Sequence, residues 1–347
     1  MRDTIRVAVL GTGALGQHHA RYYAQLAAEG TIDFAGVYDR DPILAKKIAA
    51  ECKTSAFSSQ EEAASSSDAL SIVTPTATHY EIACTLIEQG KHVLVEKPMT
   101  DRADQAAELV RLAREHRCVL QVGHVERFNP VFRYLEEFAI QPRFIEAHRL
   151  SPYPARSTDI GVVLDLMIHD LDIVLAFVKA PVTNVDAVGV RVLSKSEDIA
   201  NARLRFSNGC VANLTASRIS PDRMRKIRVF SGGEKPSYIS LDYRAQAGYL
   251  YRLARTDEAE SSWLQKWLHA RHSSIVSEFA GKRIVREPVP ITQEEPLLLE
   301  LRSFVECVQA KQKPVVSGEA AQEALEVAFE IMRQLAESSP NNSIPAP

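Results

Sequence analysis

Gly11-Thr12-Gly13-Ala14-Leu15-Gly16 decides the fold. An apolar run, Ile5-Arg6-Val7-Ala8-Val9-Leu10, precedes it, and Gln17-His18-His19-Ala20-Arg21-Tyr22-Tyr23-Ala24 follows. Strand, tight glycine turn and helix in this order make up the start of a dinucleotide-binding βαβ unit. Gly11 allows the turn, Gly13 lets a pyrophosphate approach the backbone, and Gly16 lets helix and strand pack closely. Thr12, Ala14 and Leu15 complete the candidate cofactor loop. The helix start offers free N–H groups and a positive dipole end to the phosphates.

Moving outward, Phe34-Ala35-Gly36-Val37-Tyr38 is a second apolar run. It ends at Asp39, about 20 residues beyond the loop, where this fold places the acid that binds the adenine ribose. A carboxylate there accepts from both ribose hydroxyls and repels a 2′-phosphate, so NAD is expected ahead of NADP. Arg40 follows and would stack on adenine or tolerate a phosphate. Ala69–Thr74 reads as a buried strand ending at Thr74-Pro75-Thr76, and His79 begins the next helix. His92-Val93-Leu94-Val95 is another strand, with Glu96-Lys97-Pro98 at its carboxyl end. Asp101–Glu115 reads as a helix capped by Thr100 or Asp101. Val119–Gly123 closes the alternation, followed by His124. Strand and helix alternating through residue 123 imply an α/β, doubly wound parallel sheet of the Rossmann type. Such sheets bind ligands at the carboxyl ends of their strands. Thr74, Pro75, Thr76, His79, Glu96, Lys97 and His124 are therefore candidate cofactor contacts.

A chain of 347 residues suggests about two domains at roughly 150 residues each. The boundaries expected are 1–123 for the dinucleotide-binding domain, 124–336 for an α+β substrate and oligomerisation domain, and 337–347 for a disordered tail. Hydrophobic residues make up 46% and charged residues 24%, near the globular average, so a large core is expected. A net charge of -3 shows no basic field for nucleic acid or an anionic membrane. No apolar run approaches the roughly 18 residues of a membrane span. Cys52, Cys84, Cys118, Cys210 and Cys307 lack C-x-x-C spacing and read as reduced, mostly buried thiols. Met1–Thr4 leads straight into the first strand, so no signal peptide and a cytoplasmic location are expected. The histidines show no metal-ligand spacing, and no metal is expected.

The second half changes character. Pro130 to about Ala139 reads as a helix and Phe144–Leu150 as a strand. From Val182 strands dominate: 185–192, 199–206, 210–217, 226–231 and 238–242. Ser207-Asn208-Gly209 turns one hairpin. These runs imply a large, mostly antiparallel open sheet with helices on one face. Trp263 and Trp267 lie at helical spacing and suggest packing or an oligomer contact, while Pro288 and Pro290 mark an extended arm.

Three stretches, Glu96-Lys97-Pro98, Gly123-His124-Val125-Glu126-Arg127-Phe128-Asn129-Pro130 and Val163-Leu164-Asp165-Leu166-Met167-Ile168-His169-Asp170, stand in the order and spacing of the Gfo/Idh/MocA oxidoreductases. The chain resembles that family from residue 5 to about 336. The resemblance implies an NAD(P)-dependent oxidoreductase acting on a CH–OH group. Lys97, His169 and Asp165 become the candidate catalytic and substrate-binding groups. Lys97 carries three donors for the reacting oxygen, and the ordinary pKa of histidine suits a general base. Asp165 lies one helical turn from His169 and would orient it, with Asp172 as a rival partner for the ring. Arg127 and Asn129 read as the start of the next helix. The open sheet face implies a homodimer or homotetramer.

Within the family, Arg127–Pro130, the Tyr153–Thr158 loop, Glu295–Glu300 and Pro314–Glu319 resemble the members that oxidise the 3-hydroxyl of UDP-N-acetylglucosamine. That implies a nucleotide-sugar substrate and functional coupling to an aminotransferase in lipid A type synthesis. Arg149 and Arg156 are candidate contacts for its pyrophosphate by charge and position. The alternatives are an inositol, glucose or other polyol dehydrogenase, a biliverdin reductase-like enzyme, and a non-catalytic sensor of NAD and sugar.

Overall fold

Six strands form the first sheet: β1 (Arg6–Leu10), β2 (Asp33–Tyr38), β3 (Ser55–Ala56), β4 (Ala69–Ile72), β5 (His92–Glu96) and β6 (Leu120–Gly123). All pairings are parallel, in the order β3-β2-β1-β4-β5-β6. The order reverses between β1 and β4, the place where open sheets bind ligands. The computed structural model describes residues 4–138, 141–153, 160–233, 236–254, 274–279 and 282–338. Arg156, Trp263, Trp267 and the tail after residue 338 lie outside these.

Helices α1 (Gly16–Ala28), α2 (Pro42–Cys52), α3 (Gln60–Ser65), α4 (His79–Glu88) and α5 (Ala103–Glu115) connect the strands. Val7, Ala8, Val9 and Leu10 are all 0% exposed, as expected of a parallel strand covered on both faces. Tyr23 and Leu26 of α1 pack into the same core, and the Tyr23 hydroxyl meets Ser71 Oγ at 2.7 Å. Asp41 caps α2, accepting from the N–H groups of Ile43 and Leu44, with Pro42 in the first turn. Neither Thr100 nor Asp101 caps α5. Thr100 donates to the Arg102 carbonyl instead, and Arg102 occupies the cap position without a side-chain bond.

The second sheet contains β7 (Pro142–Leu150), β8 (Val182–Val190), β9 (Ile199–Phe206), β10 (Val211–Ser217), β11 (Met224–Ser231), β12 (Ser237–Asp242), β13 (Ala247–Leu253), β14 (Ser274–Phe279) and β15 (Lys282–Pro288). Its order is β14-β15-β13-β12-β11-β7-β10-β9-β8. Only β7 and β10 pair in parallel; the other neighbours are antiparallel. Gly209, at φ +82°, closes the β9–β10 hairpin, a conformation that favours glycine. Where the sequence suggests an extended arm, Pro288 ends β15, paired across from Tyr249. Helices α6 (Pro130–Glu137) and α7 (Ile168–Val178) belong with this sheet, and α8 (Pro296–Ala310) and α9 (Gly318–Ser338) complete the chain.

The chain divides into two compact units, residues 1–128 with 295–326, and residues 129–294 with 327–347. A continuous 124–336 segment groups α8 with the antiparallel sheet. Instead Leu297, Leu301, Phe304 and Val305 of α8 join Val7, Tyr23 and Leu26 in the core of the first unit. Each such side chain contributes about 1.5–3 kcal/mol by leaving water. Of the five free cysteines only Cys210 is buried, and burial pushes its thiol up to about 11. No helix among the described residues is long and apolar enough to cross a membrane.

Candidate active site

The glycine loop is held by steric necessity. A Cβ on Gly11, at φ +91°, would lie 2.4 Å from the Val73 carbonyl oxygen, and one on Gly16 would lie 1.9 Å from the Gly11 oxygen. Gly13 differs: a Cβ there would meet nothing within 4 Å, so its backbone faces open space. Leu15 stands at the N-cap of α1 with no side-chain cap, and no acidic residue lies in the first turn. An uncapped helix start beside an open glycine fits the pyrophosphate of a dinucleotide. Gly13, Ala14 and Leu15 are exposed while Thr12 is buried.

Asp39 stands at the end of β2. Its Oδ2 accepts from the Thr12 N–H at 2.6 Å and the Thr12 hydroxyl at 2.9 Å, and its Oδ1 accepts from the Asp41 N–H at 2.9 Å. A carboxylate offers about four lone-pair sites. Three are engaged, which leaves room for one ribose hydroxyl rather than two. Asp39 therefore ties the glycine loop to the end of β2. Arg40 is exposed beside it.

Thr74, Pro75 and Thr76 follow the carboxyl end of β4. Thr78 Oγ1 donates to the Pro75 carbonyl and lies against Thr74 Oγ1, each at 2.8 Å. His79 is placed differently from expectation. It is 1% exposed, with Nδ1 at 3.0 Å from the Pro98 carbonyl and Nε2 at 2.8 Å from the Thr74 carbonyl. Both ring nitrogens are engaged, so His79 ties the end of β4 to the Glu96-Lys97-Pro98 turn instead of facing a cofactor.

At the end of β5 the buried Glu96 has three neighbours. Its Oε1 lies 3.1 Å from His19 Nε2, its Oε2 accepts from the Lys97 N–H at 3.2 Å, and its carboxylate fills the place a Gly123 Cβ would take, 2.6 Å from Oε1. Lys97 is half-buried, and the Lys97–Pro98 peptide is cis. His124 follows β6 and is 2% exposed. His19 was not singled out by the sequence. Its place on the first turns of α1 after Gly16 is the only signal that could have found it.

In the other unit, Asp165 lies on a π-helical turn, Val163–Met167, that runs into α7, which carries His169. Such turns recur at functional sites. Both side chains are half-buried, while Asp172 is 2% exposed. Arg149 is not available to a substrate in the way its charge suggests. It is 3% exposed, and its Nε and Nη2 form a bidentate pair with Asp170 at 3.0 and 2.9 Å. The fork geometry that suits phosphate suits a buried carboxylate equally. Asn129 caps α6 through the Val131 N–H and donates to the Tyr243 carbonyl.

The start of the His169 segment is fastened by a buried knot. Asp198 and Arg218 are 0% exposed and paired at 2.9 Å. Asp198 Oδ2 accepts from the N–H groups of Val192, Leu193 and Ser194. Arg218 Nη1 donates to the Ile160 carbonyl at 2.7 Å, and the Val162 N–H donates to the Glu197 carbonyl at 3.1 Å. Burial pushes the Asp198 carboxyl up, but the Leu193 N–H, the Ser194 hydroxyl and the Val192 and Ser194 N–H groups outweigh it. They hold the group well below the usual carboxylate range.

Comparison with known proteins agrees with this geometry. Residues 5–124 match the oxidoreductase family with an NAD-binding Rossmann fold, and residues 141–236 match the GFO/IDH/MocA C-terminal domain. A UDP-N-acetylglucosamine 3-dehydrogenase from Acidithiobacillus ferrooxidans is 34% identical over 94% of this chain and 96% of its own. A solved structure of that enzyme superposes with a TM-score of 0.85, at 33% identity, covering 96% of this chain and 98% of the other. The scyllo-inositol 2-dehydrogenase (NAD(+)) of Bacillus subtilis is 26% identical over 94% of this chain and 93% of its own. The chain therefore belongs to the GFO/IDH/MocA family, and is an NAD-binding oxidoreductase acting on a CH–OH group.

Proposed function

We propose that the chain oxidises the 3-hydroxyl of UDP-N-acetylglucosamine, with NAD as oxidant. The observation that carries this reading is likeness to the 3-dehydrogenase along nearly the whole of both chains. Gly11–Gly16 and Asp39 would hold the dinucleotide, with the preference for NAD over NADP resting on the Asp39 carboxylate. When bound, NAD supplies the hydride acceptor, its nicotinamide. Lys97 donates a hydrogen bond to the reacting oxygen and stabilises the alkoxide as it forms. His169 accepts the hydroxyl proton as general base, and Asp165 orients the imidazole. The C–H bond breaks as hydride departs, the O–H proton passes to His169, and a ketone remains. A 3-keto sugar nucleotide is the substrate an aminotransferase needs to make a 3-amino sugar, the class of step that supplies lipid A type glycans. We assign cofactor binding to the unit that carries the parallel sheet, and the acid–base helix and self-association to the unit that carries the antiparallel sheet.

The test is a substrate panel with NAD, followed by absorbance of the reduced nicotinamide, with the ketone trapped. UDP-N-acetylglucosamine is expected to reduce NAD. If scyllo-inositol turns over and the nucleotide sugar does not, the substrate assignment is wrong. Replacing Lys97 with Ala should lower kcat about a hundredfold to a thousandfold and leave NADH binding, followed by fluorescence, as it was. Undiminished kcat would remove Lys97 from the mechanism.

A further inference from the structure

The parallel sheet has a second concave feature, at its opposite edge. His92 begins β5 and Leu120 begins β6, and both line a cavity of about 310 Å³. The glycine loop and Glu96 stand at the carboxyl ends of the strands, so this cavity belongs to the amino ends. Four cations line it, Arg114, Arg117, Lys311 and Lys313, against one carboxylate, Glu319. The whole chain carries a net charge of -3, so this concentration of positive charge runs against its overall balance. Such a cleft gathers anions.

The cations are not neutralised in proportion. Glu319 lies 3.3 Å from Lys313 Nζ and 3.9 Å from Arg114 Nη2. Among the described residues Arg117 and Lys311 have no carboxylate partner. Each follows a helix, α5 or α8, in a left-handed conformation, at φ 55° and 52°. The negative ends of those helices account for one cation apiece. They do not account for Arg114 and Lys313 lining the same space.

His92 and Ser317 are further polar groups of the lining. The Val119 N–H donates to His92 Nδ1 at 2.8 Å, which places the ring's own proton on Nε2. Burial lowers the His92 pKa, Asp68 opposes this, and Lys311 adds to the lowering, consistent with a neutral ring that donates from Nε2. Ser317 caps α9, bonded through Oγ to the Ala320 N–H. Val110, Leu120 and Pro314 form the apolar part of the wall.

We propose that this cavity binds a small phosphate-bearing anion, at a site separate from the dinucleotide loop. A guanidinium fork and ammonium groups match phosphate oxygens, and His92 Nε2–H adds a neutral donor. Glu319 is the opposing charge such a ligand must tolerate.

The test uses inorganic pyrophosphate as probe, titrated calorimetrically at low ionic strength into the full chain saturated with NAD, which keeps the glycine loop occupied. Wild type is expected to bind. The double variant Arg117→Asn/Lys311→Asn keeps residues that tolerate the left-handed backbone, and should bind about tenfold weaker or worse. Its NADH affinity should not change. Glu319→Gln removes the opposing carboxylate, frees Lys313 and Arg114, and should bind pyrophosphate more tightly than wild type. All three side chains are exposed, so folding is spared. No heat of binding in wild type, or equal affinity in wild type and both variants, would overturn the proposal.

Discussion

Glu96 shows how one carboxylate can hold a neighbouring side chain's backbone. His19 meets one oxygen, the Lys97 N–H meets the other, and the absent Cβ of Gly123 makes the space. His19 is 0% exposed, so it acts through Glu96 and not on solvent or ligand. Replacing Gly123 with Ala would push the Glu96 carboxylate aside and carry the Lys97 turn with it. A misplacement near 1 Å costs about a hundredfold in rate. Steady-state kinetics should show kcat falling by that order with NADH affinity retained; a normal kcat would show that Glu96 does not position Lys97. Residues at this scale were legible in sequence where backbone geometry dictates the residue type. Gly11 and Gly16 are such cases. His79 and Arg149 were not, because their partners decide their roles. The Pro98 carbonyl lies 19 residues from His79, and Asp170 lies 21 residues from Arg149. No local pattern tells whether an arginine fork faces a carboxylate of its own chain or a ligand.

The π-helical turn and the knot around Asp198 belong together as elements. Arg218 holds the Ile160 carbonyl and Glu197 holds the N–H of Val162, just ahead of Val163–Met167. A Cβ on Gly161 would lie 1.9 Å from the Glu197 carboxylate, so any larger residue here must displace the Glu197 side chain. Replacing Asp198 with Asn leaves Arg218 buried without its counter-charge. Loss of one partner of a buried pair costs about 3–5 kcal/mol, and denaturant unfolding should show it. The carboxyl is depressed in the folded chain relative to about 3.9 when unfolded. Its contribution is therefore complete above about pH 3.9 and is lost as pH falls through the lower folded value. Wild type should lose stability over that acid range faster than Asp198→Asn does; parallel acid profiles would show that Asp198 is not the group responsible. The hairpin of β9 and β10 was readable from Ser207-Asn208-Gly209, since a tight turn states its own requirement. β13 and β15 were not, because their register is set by β12 and by each other.

Across the whole molecule, the helices after residue 295 show what one-dimensional reading cannot supply. Their amphipathic pattern marks them as helices, yet a stripe of Leu297, Leu301, Phe304 and Val305 fits any apolar surface. It covers the parallel sheet unit, where Val7, Tyr23 and Val37 complete its core. The unit that carries the glycine loop thus draws stability from residues nearly three hundred positions away, including the Arg302–Glu29 pair at 2.8 Å. A ligand that binds only the folded form adds to that stability by mass action. At a hundred times its dissociation constant NADH should contribute about 2.7 kcal/mol, which for a unit of this size raises Tm by about 5–10 °C. Gly16→Ala tests whether the loop is the anchor. Its Cβ would lie 1.9 Å from the Gly11 oxygen, so the turn must open and the phosphate cradle is lost. Thermal unfolding of this variant should start lower and show little response to NADH. A shift equal to that of wild type would mean the dinucleotide is held elsewhere, and would remove Gly11–Gly16 from its assigned role.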